Sequence, residues 1–200
     1  RQMCIRDCDT CALLNAGAGN CRGSNSEGQL GSSTTTNSSA PVAVRLFTGG
    51  ATAVSMTAGH YHTCALLNTG AVNCWGRNGD GQLGNGTTTS SSAPVAVSAF
   101  TDGATAVSIT AGYFHTCAVL NTGAVNCWGR NSNVQLGNNS TINSSVPVAV
   151  AAFTDVSATA VSITAGDAHT CALLNTGAVN CWGYNNSGQL GNGNTTDSSA

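Results

Sequence analysis

The sequence predicts an all-β protein of four blade-like repeats, each of about 53 residues, a period that marks a propeller blade or a solenoid unit and suits an incomplete or open propeller. Three observations predict it. The segment Cys-Ala-Leu-Leu-Asn-Thr-Gly-Ala-Val-Asn-Cys, or a close variant, begins at Cys64, Cys117, Cys171 and, in weaker form, Cys11, so the period is 53, 53 and 54 residues. Around it run short stretches with the two-residue apolar and polar alternation of half-buried strands. Every complete period closes on Pro-Val-Ala-Val, at Pro41, Pro94 and Pro147. The units fall at about 1–44, 45–97, 98–150 and 151–200 and form a single repeat domain.

The first strand of a unit is Ala-Val-Ser-(Met/Ile)-Thr, at 53–57, 106–110 and 160–164. An Ala-Gly ends it, and a glycine there permits a bulge, a left-handed turn or close approach of two backbones. His-Thr-Cys-Ala-(Leu/Val)-Leu is the second strand and Ala-Val-Asn-Cys-Trp-Gly the third. Asn-Thr-Gly joins them, with glycine where a three-residue hairpin loop needs a left-handed residue. Pairing across that loop sets Leu67 opposite Ala71, Leu66 opposite Val72 and Cys64 opposite Cys74.

This register brings two sulfurs to facing positions on one side of the hairpin, where a bridge needs little backbone movement. The expected disulfides are Cys11 with Cys21, Cys64 with Cys74, Cys117 with Cys127, and Cys171 with Cys181. Each closes an eleven-residue loop, for roughly 2.5–3 kcal/mol in the chain-entropy picture. Zinc is the competing reading, but its sites favour knuckles of two to four intervening residues. Cys4 and Cys8 stand outside the repeat, with three partners open to them: each other, a neighbouring chain, or a segment beyond this sequence.

The last third of the period is a loop and an outer strand. Gly-Gln-Leu-Gly at 28–31, 81–84 and 188–191, with Val134-Gln135-Leu136-Gly137 as the variant, leads into Thr, Ser and Asn tracts that read as exposed loops. Proline then fits the start of an edge strand, where a missing N–H harms no ladder. Phe47, Phe100 and Phe153 follow at the repeat spacing and are expected to pack between units.

Composition points to an oxidising, extracellular or cell-surface setting. Ten cysteines suit a reduced cytosol poorly. There is no lysine, only 7% of residues are charged and the net charge is −2, which speaks against nucleic acid and against anionic membranes. No apolar run approaches the roughly 20 residues of a membrane span. The chain starts at Arg1 without a visible signal peptide, as a processed or partial product would.

Taken together, Ala-Gly-x-x-His-Thr-Cys-Ala-Leu, then Gly-Ala-Val-x-Cys-Trp-Gly-x-Asn-x-x-Gly-Gln-Leu-Gly, then Pro-Val resembles the regulator of chromosome condensation repeat. The resemblance covers the chain from Cys11 onward, and Trp75–Gly84 and Trp182–Gly191 carry its most specific core. It implies blades of four strands in a propeller that in this family has seven. Here there are four units, the first with Asp9 for the histidine, Arg22 for the tryptophan and no Ala-Gly, and the last stopping at Ala200 before an outer strand. Four units cannot close a ring of seven, so blade faces stay open to other copies or to further chain.

No catalytic set stands apart from the repeat, and no cofactor or metal is expected. His62, His115 and His169 recur once per blade, which suits structural hydrogen bonding better than ligation. Asp80 sits in a faintly calcium-like loop whose other copies lack the pattern. Trp75, Trp128 and Trp182 are read as packed, with a sugar-binding row as the lesser alternative. Sequons at Asn37, Asn85, Asn138, Asn139, Asn143, Asn185 and Asn194 are candidate glycan sites, against the plainer reading that polar turns use these residues.

The expected function is that of a non-enzymatic, extracellular structural or adhesive protein that assembles head to tail into a filament. Its partners would be copies of itself, with other surface proteins or glycans beside them. The alternative is a secreted protein-binding propeller, inhibitor-like or receptor-like, with anchors among Tyr61, Tyr113, Phe114 and Tyr184. Nucleotide exchange, as in the family's nuclear namesake, conflicts with the cysteines.

Overall fold

The computed structural model describes residues 9–151, 153 and 157–200, and the backbone of 3–6. Among these residues fifteen strands form four antiparallel sheets, each a meander in chain order. The first sheet is β1 (Met3–Arg6), β2 (Asp9–Leu13), β3 (Gly19–Gly23) and β4 (Ser38–Ala43). The second is β5 (Ala53–Ala58), β6 (His62–Leu67), β7 (Val72–Gly76) and β8 (Ser91–Ala96). The third is β9 (Ala106–Ala111), β10 (His115–Leu120), β11 (Val125–Gly129) and β12 (Ser144–Ala149). The fourth holds β13 (Ala160–Ala165), β14 (His169–Leu174) and β15 (Val179–Gly183).

β1, β5, β9 and β13 lie beside one another and form the inner edge of the fan, while the proline-bearing β4, β8 and β12 are outermost. The hairpin forms as its turn chemistry dictates. Leu66 faces Val72 and Cys64 faces Cys74, Gly70 takes φ +79°, and its N–H donates to Leu67 O at 2.9 Å. In β5 the alternation is interrupted where the register shifts between Ala53 and Ser55, which leaves Val54 exposed between buried Ala53 and Met56.

The apolar core lies between blades rather than within them. Cys64, Leu66, Val72 and Cys74 of the second blade pack on Phe100, Ala106, Ile109, Ala118, Leu120 and Trp128 of the next stretch of chain, and the same set recurs one period on. A blade therefore cannot bury its own face alone, which is why the repeats must stack.

Three details depart from the sequence reading, and a fourth decides between its alternatives. The outer strands begin at Ser38, Ser91 and Ser144, three residues before each proline, which falls instead where the register slips opposite the third strand. Proline is tolerated there because a bulge on an edge strand needs no N–H from it. The segment before Asp7 is not outside the pattern: Met3–Arg6 is the first blade's inner strand, with Cys4 opposite Cys11 in the register. The fourth blade's outer strand is begun by a single bridge, Gly183 to Ser198. Gly59 makes no left-handed turn; a Cβ there would stand 2.5 Å from the Gly112 carbonyl oxygen and 2.3 Å from His62 Cε1, so it serves close approach.

Candidate protein-binding end

The strict positions of the repeat are joined by hydrogen bonds into a scaffold. Asn78, fully buried, donates from Nδ2 to Thr87 O and Thr89 O at 2.9 and 3.1 Å, and its Oδ1 accepts from Leu83 N at 2.9 Å. It thereby holds the long loop shut. Asn25, Asn131 and Asn185 do the same in the other blades. That pins Gln82, whose carbonyl reaches across the junction to accept from Trp128 Nε1 at 2.9 Å and from Thr116 Oγ1 at 3.0 Å. Trp75 on Gln29 O and Trp182 on Gln135 O repeat the contact at 2.8 and 3.0 Å. The last glycine of Gly-Gln-Leu-Gly is required by the indole: a Cβ on Gly84 would lie 2.6 Å from Trp128 Nε1.

His62 completes the joint. Its Nε2 lies 2.9 Å from Thr116 Oγ1, and because that hydroxyl's one proton goes to Gln82 O, the histidine is the donor. His115 and Thr170 are related identically at 2.9 Å. In the first blade Asp9 takes the histidine's place, 3% exposed, and burial pushes its carboxyl from 3.8 up to about 7. Arg22, at the tryptophan position, is exposed.

The cysteines bond in four hairpin pairs, Cys11–Cys21, Cys64–Cys74, Cys117–Cys127 and Cys171–Cys181. Cys8 lies outside the described residues, and of Cys4 only the backbone is described. Asn37, Asn85, Asn138, Asn139, Asn143 and Asn194 stand on exposed or half-buried loops. Asn185 does not: it is fully buried, and its amide nitrogen is spent on Asn192 Oδ1, Asn194 O and Thr196 O, so it is withdrawn as a glycan acceptor. Asp80 Oδ1 accepts from Asn143 Nδ2 at 3.1 Å. Among the described residues no three His, Cys, Asp or Glu side chains cluster as a metal site would require.

The free positions of the repeat, by contrast, gather at one end of the fan. In an antiparallel meander the first-to-second and third-to-fourth connections lie at the same end, so residues 60–61 and 77 meet, as do 113–114 and 130. Arg77 N donates to Tyr61 O, and Arg130 N to Phe114 O, both at 2.9 Å. His60 stacks on Tyr113 at 3.9 Å, Tyr113 meets Phe114 edge-on at 4.5 Å, and Tyr61 lies 6.3 Å from Phe114. The guanidinium carbons of Arg77 and Arg130 stand 5.3 and 5.7 Å from the Phe114 centroid. All three tyrosines of the chain are at this end, with the single phenylalanine that is not packed on a tryptophan. Sequence reading singled out Tyr61, Tyr113, Phe114 and Tyr184 but missed His60, Arg77 and Arg130. Their signal was present, since they occupy the x positions of an otherwise strict motif.

An arc of propeller blades whose variable side chains collect at one end defines a repeat protein of the β-propeller class. The chain belongs to the regulator of chromosome condensation (RCC1) repeat family: one family model matches residues 21–66, 69–119 and 122–173, and a second matches 53–82, 106–135 and 160–189. It is 38% identical to the ultraviolet-B receptor UVR8 of Arabidopsis thaliana over 144 residues, 72% of this chain and 32% of that protein. The fold is similar to that of human WBSCR16, with a TM-score of 0.88 at 23% identity over 98% of this chain and 50% of the other. It is similar as well to the ectodomain of the receptor kinase CR4 of Physcomitrella patens, with a TM-score of 0.56 and 25% identity over 90% of this chain and 40% of that one. The chain thus spans about a third of UVR8 and half or less of the two solved structures.

Proposed function

We propose that the chain is a non-enzymatic protein-recognition unit of an extracellular or cell-surface propeller, binding its partner through the end built by His60, Tyr61, Arg77, Tyr113, Phe114 and Arg130. The observation that carries this reading is the segregation of chemistry along the repeat. Fixed positions are consumed by blade junctions, whereas tyrosine and arginine, the side chains that most often anchor protein interfaces, occupy the free positions of one end. Four hairpin disulfides support an oxidising compartment, and the fold is similar to that of an ectodomain, that of CR4. No helix among the described residues is long and apolar enough to cross a membrane. Cross-linking mass spectrometry on native material tests the site: partner peptides should join to this end, and Tyr61→Ala with Phe114→Ala should remove them while a cooperative melting curve shows that the variant still folds. Cross-links confined to the opposite end, around Thr69 and Thr122, would discard the assignment.

A second reading, head-to-tail self-association into a filament, has its own support. Leu173 and Val179 are 42% and 63% exposed on the fourth blade, at positions that are 5% and 2% exposed in the second (Leu66 and Val72). The first blade offers Thr10 opposite Arg22 in the register of Thr63 and Trp75, so a second copy would seat an arginine where the internal junctions seat an indole. In this reading Cys4 or Cys8 bridges two copies, and the exposed sequons carry glycans. Non-reducing mass spectrometry of the assembled material reads both.

A further inference from the structure

Resting on the protein-binding reading of the aromatic end, we propose that Arg77 and Arg130 form a receptor for a carboxylate, so that the partner is an acidic polypeptide segment whose Asp or Glu docks between the two guanidiniums over Phe114. Two cations from adjacent blades converge on one ring, at 5.3 and 5.7 Å from its centre. Neither is ion-paired among the described residues; Arg130 Nε donates to Ser132 Oγ at 3.0 Å, and Arg77 Nε is buried with no partner. The carboxylate nearest in sequence to Arg77, Asp80, is turned to Asn143 Nδ2 at 3.1 Å. A single anion that reaches both guanidiniums gains an attraction to each.

The surroundings fit a carboxylate. A guanidinium offers a planar fork that matches the two oxygens of Asp or Glu, and such bidentate pairs are the strong ones. Phe114, Tyr113 and Tyr61 wall the site with rings, which thins the water that would otherwise screen the pair and receives the apolar residues that flank the acid. The same two forks also match a phosphate, so phosphopeptides are the competing ligand.

The test is a peptide-display selection on the whole folded chain, run in parallel on wild type, Arg77→Gln with Arg130→Gln, and Tyr61→Ala with Phe114→Ala, with melting curves confirming that all three fold. Peptides enriched on wild type should carry Asp or Glu beside apolar residues. Exchanging that acid for its amide should weaken binding about tenfold or more on wild type and leave the double glutamine variant unaffected, while Arg77→Lys restores binding in part. Enrichment that depends on Tyr61 and Phe114 but shows no acid preference overturns the carboxylate receptor and leaves the protein-binding end standing. Phosphopeptides that outcompete their acidic counterparts reassign the pair to phosphate. Selection indifferent to all four residues overturns both readings.

Discussion

Trp128 joins two blades through one atom and one surface. Its indole is fully buried against Phe100 at 6.1 Å, and its Nε1 shares the Gln82 carbonyl with Thr116. Trp128→Ala should cost about 3–5 kcal/mol in denaturant unfolding, whereas Trp128→Phe, which keeps most of the volume and removes one donor, should cost about 1–2 kcal/mol. Unchanged stability for the alanine variant, with loss of carbohydrate binding, would turn the tryptophans back into a sugar platform. Asp9 acts in the opposite sense. Its folded pKa, about 7, lies above its ordinary 3.8, so the native state holds the proton more tightly than the unfolded chain. That contribution is greatest below about pH 4 and is lost as pH rises to 7, by at most about 4 kcal/mol. Asp9→Asn should therefore stabilise the protein at pH 7 more than at pH 4, and equal shifts at both would contradict the burial. Val134 is a third exception. It sits at φ +51° where Gly28, Gly81 and Gly188 sit at +84°, +85° and +74°. A β-branched residue is strained there, and Val134→Gly should raise the unfolding free energy by about 1 kcal/mol despite the entropy that glycine adds to the unfolded chain.

At the scale of the element, the stapled hairpins differ in how well they are covered. Cys11, Cys21, Cys64, Cys74, Cys117 and Cys127 are fully buried between blades, while Cys171 and Cys181 are half-buried on the open face of the fourth. Thiol exchange needs access to sulfur, so graded reduction followed by alkylation and peptide mapping should open Cys171–Cys181 first. Simultaneous opening of all four would mean that the blades unfold as one before any bond is reached. These hairpins were legible in the sequence because everything that makes them is local: an Asn-Thr-Gly turn, a two-residue alternation and a facing pair of cysteines within eleven residues. What the repeats do to each other was not. Trp75 meets Gln29 and His62 meets Thr116 across separations of 46 and 54 residues, and no local propensity marks such a pair. The convergence of Arg77 and Arg130 on Phe114 was hidden for the same reason, since two of the three residues come from a different blade than the first. The start of the outer strands is not legible, because proline reads as a boundary in the sequence whereas the slip in register lets it sit inside the strand.

At the scale of the whole molecule, the fan is a one-dimensional stack whose stability is carried by its junctions, and its two faces are unlike. On the first blade Thr10 and Asn20 are half-buried and Arg22 is exposed beside Ala12, Leu14 and Pro41, so that face is mixed and carries a charge. The fourth blade's face keeps the apolar residues of an internal junction: Val179 is 63% exposed where Val125 is 3% exposed one blade earlier. Beside it, Gly188 and Gly191 open onto empty space, whereas Gly84 and Gly137 of the matching loops are pressed against the next tryptophan. A patch of this kind favours association, and contacts between unlike faces propagate without closing unless the rotation completes a ring. Sedimentation of the purified chain across a concentration series should show reversible growth beyond the monomer. Leu173→Asp with Val179→Asp should abolish the growth and leave the melting temperature in place. The same change at the buried counterparts, Val119→Asp with Val125→Asp, should instead unfold the protein, because there the charge is driven into a closed junction. A wild-type chain that stays monomeric throughout would remove self-association and leave recognition by the aromatic end as the sole reading, whereas growth that survives Leu173→Asp would place the contact on another surface.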